Sequence, residues 1–436
     1  MSNARLLFTN ARLFDGENAP RADMSVVVDG GRIAAVREGA ASGAESDRVV
    51  DCAGATLMPG MVQCHFHTGF GPTPSGGIAP ILGLEASAPF MGMIASANAR
   101  TALDSGVTSI IGSSNPDGLD LALKEAIVLG VVEGPRVLAC TREFMTTGEQ
   151  ADGDNRSWFM QLGNKGLVRA MTGADAFRHA TREEVGRGCD VVKISVARGH
   201  GSAPAWDVNY LTTDELDAVV STAHERGALV RAHCPSRIGV IECARAGVDI
   251  IDHADRIDDE GIDAVLEADA TVVPSMLWSE RFLAFAESWD HGQAPFPIGE
   301  GFPETLDQTL ARLAAVREDY EYTRTMLPRM REAGVRLVLG DDYGFPMMPH
   351  GDYVAEMEVY AQQGVPPLEI LRWATKNGGE AMGQGDRLGT VEEGKLADLV
   401  VVEGDPTTDL GALRTGIRMV VKDGVVLRDH LAPARG

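Results

Sequence analysis

Two histidines one residue apart, His65 and His67, end the run Pro59-Gly60-Met61-Val62-Gln63-Cys64-His65-Phe66-His67. On an extended strand alternate residues face the same side, so both imidazoles would share a face. Such a pair at a strand end can bind one Zn2+-like ion. Taken alone, a structural pair explains this spacing equally well, and the downstream residues tip the balance. His233 closes the run Ala228-Leu229-Val230-Arg231-Ala232, and His253 closes Val248-Asp249-Ile250-Ile251-Asp252. Between them lies room for one helix, Arg237–Ala246, and a turn, so they occupy equivalent positions on successive strand–helix units. Lys193 sits in Asp190-Val191-Val192-Lys193-Ile194. An ammonium among apolar neighbours is costly to bury unless paired or neutralised. Carboxylation by CO2 is one route to neutrality, and the resulting anion could bridge two cations. From this residue alone, a lysine facing solvent at an irregular strand end is the favoured reading. Asp341 and Asp342 follow Val335-Arg336-Leu337-Val338-Leu339-Gly340. A carboxylate there can ligate a metal and take a proton from its bound water. Adjacent aspartates project differently, so at most one plays that part.

The elements that must position these groups follow two rhythms. The first sixty residues read as β, with strands at Arg5–Phe14, Ser25–Val28 and Arg32–Val36. Asp29-Gly30-Gly31 joins the last two as a hairpin. The last fifty repeat the pattern: Asp398–Val402, then Ile417–Val421 through Lys422-Asp423-Gly424 into Val425–Leu427. Neither piece can bury a sheet face alone, so the two are expected to pair into one small β-sandwich, discontinuous in sequence. Between them, short apolar runs alternate with helical patterns, as parallel βα units require. Strands are expected at Gly106–Ile111, Asp190–Ile194, Ala228–Ala232, Val248–Ile251, Ala270–Pro274 and Val335–Leu339. Helices are expected at Met93–Leu103, after a Thr212/Glu215 capping box, and over Glu304–Glu332. Phe282–Phe302 lacks periodicity and reads as a substrate-side loop. No G-x-G-x-x-G follows an early strand and no P-loop occurs, which removes support from nucleotide folds. Candidate ligands at the ends of several different strands are the layout of a (β/α)8 barrel. The expected fold is therefore α/β: a TIM-like barrel over residues 59–385, with the β-sandwich built from residues 1–58 and 386–436.

Composition narrows the partners. With 39 basic and 63 acidic residues the formal net charge is −24, and the acid excess runs through the whole sequence. Nucleic-acid and anionic-membrane binding need a basic patch, so neither is expected. The 6 cysteines are scattered, with no C-x-x-C pair, which argues against a disulfide framework. The opening residues lack the basic-then-apolar pattern of a signal peptide, and no stretch approaches the roughly 20 apolar residues of a membrane span. A cytoplasmic, soluble protein acting on a small molecule is the expectation.

Together these features resemble the amidohydrolase superfamily over nearly the whole chain. Its opening pattern, PG-h-h-D-x-H-x-H, appears here as PGMVQCHFH. VVKIS carries the strand lysine, VRAHC and DIIDH the two later histidines, and GDDYG stands for G-T-D-x-G. The tail LGTVEEGKLADLVVVEGDP is similar to the family's closing segment. The pieces GPRVL, GVDIIDHA, PHG and GVPPLEILRWATKNGGEAMG point to the branch of imidazolonepropionase-like proteins and binuclear prolidase-type enzymes.

The resemblance implies two divalent metal ions, zinc being the expected species, and a homo-oligomer. His65 and His67 would bind the more buried ion, a carboxylated Lys193 would bridge both, and His233 and His253 would hold the second. The motif frame puts Asp342 rather than Asp341 in the catalytic position, as ligand of the first ion and as base then acid around a bridging hydroxide. His350, in PHG, would lie near the mouth, supporting the metal ligands or touching the substrate. Arg198, His200 and Tyr210, just after the lysine strand, are candidates for gripping a substrate carboxylate, with ordinary surface roles equally open. Three departures stand out: Gln63 where aspartate is usual, Asp341 in place of threonine, and Thr147-Gly148-Glu149-Gln150 in place of T-G-G-H. The implied activity is hydrolysis of an amide bond, in an N-acyl amino acid, a dipeptide or a cyclic or aryl amide. A lactone or ester hydrolase using the same site is the alternative, and a non-catalytic metal-binding protein a third.

Overall fold

The computed structural model describes residues 5–41, 48–71, 87–116, 118–149, 166–201, 203–205, 207–293, 296, 304–345 and 347–431. The chain opens with β1 (Leu6–Leu13), β2 (Arg21–Asp29), β3 (Arg32–Glu38), β4 (Arg48–Asp51) and β5 (Thr56–Pro59). A run alternating with helices follows: β6 (Met61–Phe66), β7 (Val107–Gly112), β8 (Arg136–Leu138), β9 (Cys140–Thr146), β10 (Val168–Met171), β11 (Val191–Ser195), β12 (Leu229–Cys234), β13 (Ile250–His253), β14 (Thr271–Val273) and β15 (Arg336–Leu337). β16 (Leu399–Val402), β17 (Ile417–Lys422) and β18 (Val425–Asp429) close the chain.

The two chain ends meet in one sheet of order β18-β17-β16-β5-β1-β2-β3, with β4 pairing β1. β5 and β16 run antiparallel, Pro59 opposite Leu399 and Thr56 opposite Val402. The alternation of β16 explains its position. Leu399 and Val401 pack with Phe8, Val26 and Leu57 inside the terminal unit, while Val400 and Val402 face the main core, as a period of two demands. The two hairpins that read alike in sequence touch: Ala397 N donates to Gly31 O and Gly424 N donates to Ala397 O, both at 3.0 Å. A Cβ on Gly31 would come within 2.9 Å of Asp423 O, so this close approach needs glycine.

The middle of the chain is α/β. Its strands are parallel in two sheets, β6-β7-β8 and β10-β9-β11-β12-β13-β14-β15. Cys64 N donates to Leu339 O at 2.8 Å, bringing β6 beside the chain that leaves β15. Val62, Cys64, Ile111, Cys140, Val191, Ile250, Val273 and Val338 form one apolar cluster, with Leu229 packed against it. Two residues further along the same strands come Lys193, Arg231 and Asp252, and a further step along β12 reaches His233. An apolar layer thus floors a polar one.

Local signals set the helices. Glu215 Oε2 accepts from Thr212 N at 2.9 Å, capping Thr213–His224. Ser236 Oγ accepts from Gly239 N at 3.0 Å at the start of Arg237–Ala246. The expected loop over Phe282–Phe302 is corrected in its first part: Phe282 to Ser288 belong to the helix Met276–Ser288. Phe282 is buried against Trp278 and Phe296, so tertiary packing supplies what periodicity lacked. Most of the remaining loop, like Gln150, lies outside the described residues. Among the described residues no helix is long and apolar enough to cross a membrane.

Candidate metal centre

His65 is fully buried and His67 nearly so. Their Nε2 atoms lie 3.1 Å apart, and Asp342 Oδ1 lies 2.9 Å from the first and 3.0 Å from the second. His67 Nδ1 is 2.9 Å from the Ser114 carbonyl oxygen, which only a donor satisfies. That bond fixes the tautomer and leaves the Nε2 lone pair facing Asp342. His65 Nδ1 is 3.4 Å from Asp252 Oδ1. Phe70 stacks flat on His67 at 4.0 Å between ring centres.

The second group gathers on the other side of Asp342. His253 Nε2 lies 2.9 Å from His233 Nδ1, and the His65 and His253 rings are 5.5 Å apart. His200 stacks on His253, ring centres 3.7 Å apart and planes 18° apart. Its Nδ1 is 3.1 Å from Asp255 Oδ2, and its Nε2 is 4.0 Å from Asp342 Oδ2. Donor atoms of His65, His67 and Asp342, and again of His200, His253 and Asp342, lie within 4.8 Å of one another.

Electrostatics favour a cation. Burial, reinforced by Lys193 and His200, pushes His233 down to about 3. Burial also holds His67 and His253 below the usual histidine value, more strongly than Asp342 pulls them up. These are the neutral imidazoles that metals bind. Burial would raise the Asp342 carboxyl, but His65 and His67 beside it hold it well below the carboxylate range. His200 goes the other way, to about 9: burial opposes, and Asp255 prevails. Three buried imidazoles held neutral, those of His67, His233 and His253, near an ionised carboxylate suit a divalent cation in donor type and in charge.

Lys193 lies beneath this layer, buried. Its Nζ donates to Asp252 Oδ2 at 2.6 Å. Arg231, fully buried, donates through Nη2 to Asp252 Oδ1 at 2.5 Å and through Nη1 to the Cys64 and Gly112 carbonyls at 2.9 and 2.8 Å. Burial alone would raise Asp252, yet Arg231 and Lys193 hold it well below the carboxylate range.

Other candidates sit around the cluster. Asp341 does not face it: its Oδ2 accepts from Leu277 N and Trp278 N at 2.8 and 3.1 Å, anchoring the start of the helix Met276–Ser288. His350 lies behind His67, its Nε2 3.2 Å from the His67 carbonyl and its Nδ1 3.3 Å from the Tyr353 hydroxyl. Arg198 and Tyr210 are half-buried after β11, outside both donor groups. Gln63 is fully buried and its amide makes no hydrogen bond. Sequence reasoning missed Arg231, Asp252, Asp255 and Glu143, which pairs opposite Lys193 in the β9–β11 register. The spacing from His233 back to Arg231, an i, i−2 step on one strand, was the available signal for the first.

Known proteins resemble this chain in sequence and in fold. An uncharacterised protein of Mycobacterium tuberculosis is 28% identical over 239 residues, covering 54% of this chain and 57% of its own length, so the chain spans little more than half of that relative. The imidazolonepropionase of Acidiphilium cryptum is 25% identical over 430 residues, 91% of this chain and 92% of that one. Among solved structures, a Xaa-Pro dipeptidase with methionine bound in its active site superposes with a TM-score of 0.83 at 26% identity, covering 97% of this chain and 100% of that chain. The amidohydrolase family pattern matches residues 56–427, a span holding every donor named above, and the chain belongs to the amidohydrolase family.

Proposed function

We propose that the protein is a binuclear metal-dependent hydrolase that cleaves the amide C–N bond of a small molecule. The observation that carries this reading is the convergence of His65, His67, His200 and His253 on the single carboxylate of Asp342. In this reading the parallel strands close into a (β/α)8 barrel over residues 59–385, and residues 1–58 with 386–436 form the β-sandwich beside it. The family likeness and the bond from Cys64 N to Leu339 O support closure. Six free, buried cysteines fit the reducing conditions of a cytoplasmic protein, and a homo-oligomer is part of the same reading.

Two divalent ions, zinc in the simplest case, would lower the pKa of a water molecule and polarise the carbonyl under attack. His65, His67 and Asp342 would hold one ion, and His233 and His253 the other. Asp342 takes the attacking water's proton as the C–O bond forms and hands it to the leaving nitrogen as the C–N bond breaks. Charge supports carboxylation of Lys193. As it stands, the Lys193 and Arg231 cations balance the Asp252 and Asp342 anions. Two doubly charged ions would upset that balance, and converting Lys193 to a carbamate removes one positive charge and supplies a negative one. Asp252 keeps Arg231 as its partner when Lys193 turns away.

Phe70, Phe345 and Trp278 form a contiguous aromatic wall beside His67, with ring centres 5.5 and 4.3 Å apart along it. It suits an apolar or aryl group on the substrate. Arg198, with Tyr210 nearby, would grip a substrate carboxylate. Replacing Arg198 with alanine is then expected to raise KM roughly 10-fold for an anionic amide with little change in kcat, the value of one charge-assisted hydrogen bond. An unchanged KM removes Arg198 from that role. His350, bonded to the His67 backbone, acts as a prop for His67.

The reading is tested by stripping the protein with a chelator and screening it on amides, lactones and esters. Activity on an amide should vanish with the metal and return with Zn2+ plus bicarbonate faster than with Zn2+ alone. Full activity of metal-free protein would overturn it, and preference for lactones or esters would move it to the other carbonyl class.

A further inference from the structure

We propose that His200 is a direct ligand of the second cation, beside His253 and Asp342, an assignment that rests on the metal-centre reading above. The family resemblance gives this histidine no metal role; the geometry does. Asp255 holds Nδ1 through both carboxylate oxygens, at 3.1 and 3.2 Å, which leaves Nε2 as the nitrogen that a metal would take in place of a proton. That Nε2 is buried and makes no hydrogen bond. It faces Asp342 Oδ2 across 4.0 Å. Positive charge belongs between these two atoms, from a proton on Nε2 or from a cation, and 4.0 Å is too long for a hydrogen bond that would satisfy the buried nitrogen. A tetrahedral metal bonded to both would draw them to roughly 3.4 Å, a small closure of this gap, since Zn–N and Zn–O bonds are each about 2.0–2.2 Å. A carboxylate orienting an imidazole towards a metal is the usual supporting arrangement.

Backbone strain points the same way. His200 and His253 both sit at φ = 73°, in the left-handed region. Non-glycine residues adopt that region uncommonly, and it persists where the surrounding structure imposes it. A histidine kept only for packing needs neither the strained backbone, nor the carboxylate on one nitrogen, nor the bare nitrogen on the other.

The test uses purified wild type, His200→Ala and Asp255→Asn, each loaded with Co2+ or Zn2+ and titrated with a competing chelator while bound metal is counted by mass spectrometry. Wild type should hold two equivalents. His200→Ala should keep the first and lose the second at least 10-fold more readily, and Asp255→Asn should weaken the second by about 10–100-fold. Unfolding curves guard against a merely misfolded variant. A wild-type crystal loaded with Co2+ gives a readout independent of the variants: His200 Nε2 at about 2.0–2.2 Å from the metal supports the assignment, and a ring standing off beyond bonding distance overturns it. Two ions retained equally by all three proteins would overturn it while leaving the hydrolase reading intact. A wild type that binds no metal would end both.

Discussion

Replacing Asp342 with asparagine is expected to lower kcat by about 10²–10⁴-fold, the range that positioned acid–base groups contribute. Asparagine keeps the shape and an oxygen facing His65 Nε2 and His67 Nε2, now 2.9 and 3.0 Å from Oδ1. It cannot accept a proton, and it removes the anion shared by both donor groups. Metal affinity should fall as well, so the measurement is kcat at saturating Zn2+ with bound metal determined in parallel. A deficit that disappears with excess metal would assign Asp342 to binding alone. A kcat within a few-fold of wild type would remove it from the chemistry.

The largest stability effect is expected from Arg231→Met. Arg231 is fully buried, bonded to two backbone carbonyls and to Asp252. Removing one partner of a buried ion pair costs about 3–5 kcal/mol, because the other charge stays behind without compensation. Lys193 softens the loss by holding Asp252 Oδ2, but the Cys64 and Gly112 carbonyls would lose their donor in a region closed to water. Denaturant unfolding followed by circular dichroism measures the cost. Adding Asp252→Asn should recover part of it, since the stranded anion is then gone. A loss below about 1 kcal/mol would mean that the network is not bearing buried charge.

Much of this centre was legible before any coordinates, and the reasons are local. His65 and His67 betray a shared face by their spacing. His233 and His253 end comparable apolar runs, so βα periodicity alone aligns them. The capping pair Thr212 and Glu215 marks a helix start by side-chain chemistry that needs no tertiary partner. Less was legible where function depends on distant contacts. Arg231 and Asp252 sit inside runs that read as strand, and only pairing of β12 with β13 shows that they meet. His200 lies in an irregular loop after β11, and its place beside His253 follows from Asp255, which no spacing rule connects to it. Phe282 read as loop because that reading began in the middle of a helix: Trp278, Phe282 and Phe285 share one face at i, i+4 and i+7, and Trp278 and Phe296 pack on Phe282.

The junction of β5 with β16 bears on how the molecule is made. Only Gly60 separates β5 from β6, the strand that ends at His65 and Phe66. Yet β5 finds its antiparallel neighbour in Leu399–Val402, and Gly60 N itself donates to Asp398 O at 2.9 Å. A ribosome releases that neighbour long after β5 and the whole run β6 to β15. The residues leading into the first imidazole pair must therefore wait, half-paired on β1, until Leu399–Val402 is made, and contacts so remote along the chain close slowly. A premature stop before Asp398 would leave the metal-binding strand without its anchor even though every donor had already been synthesised.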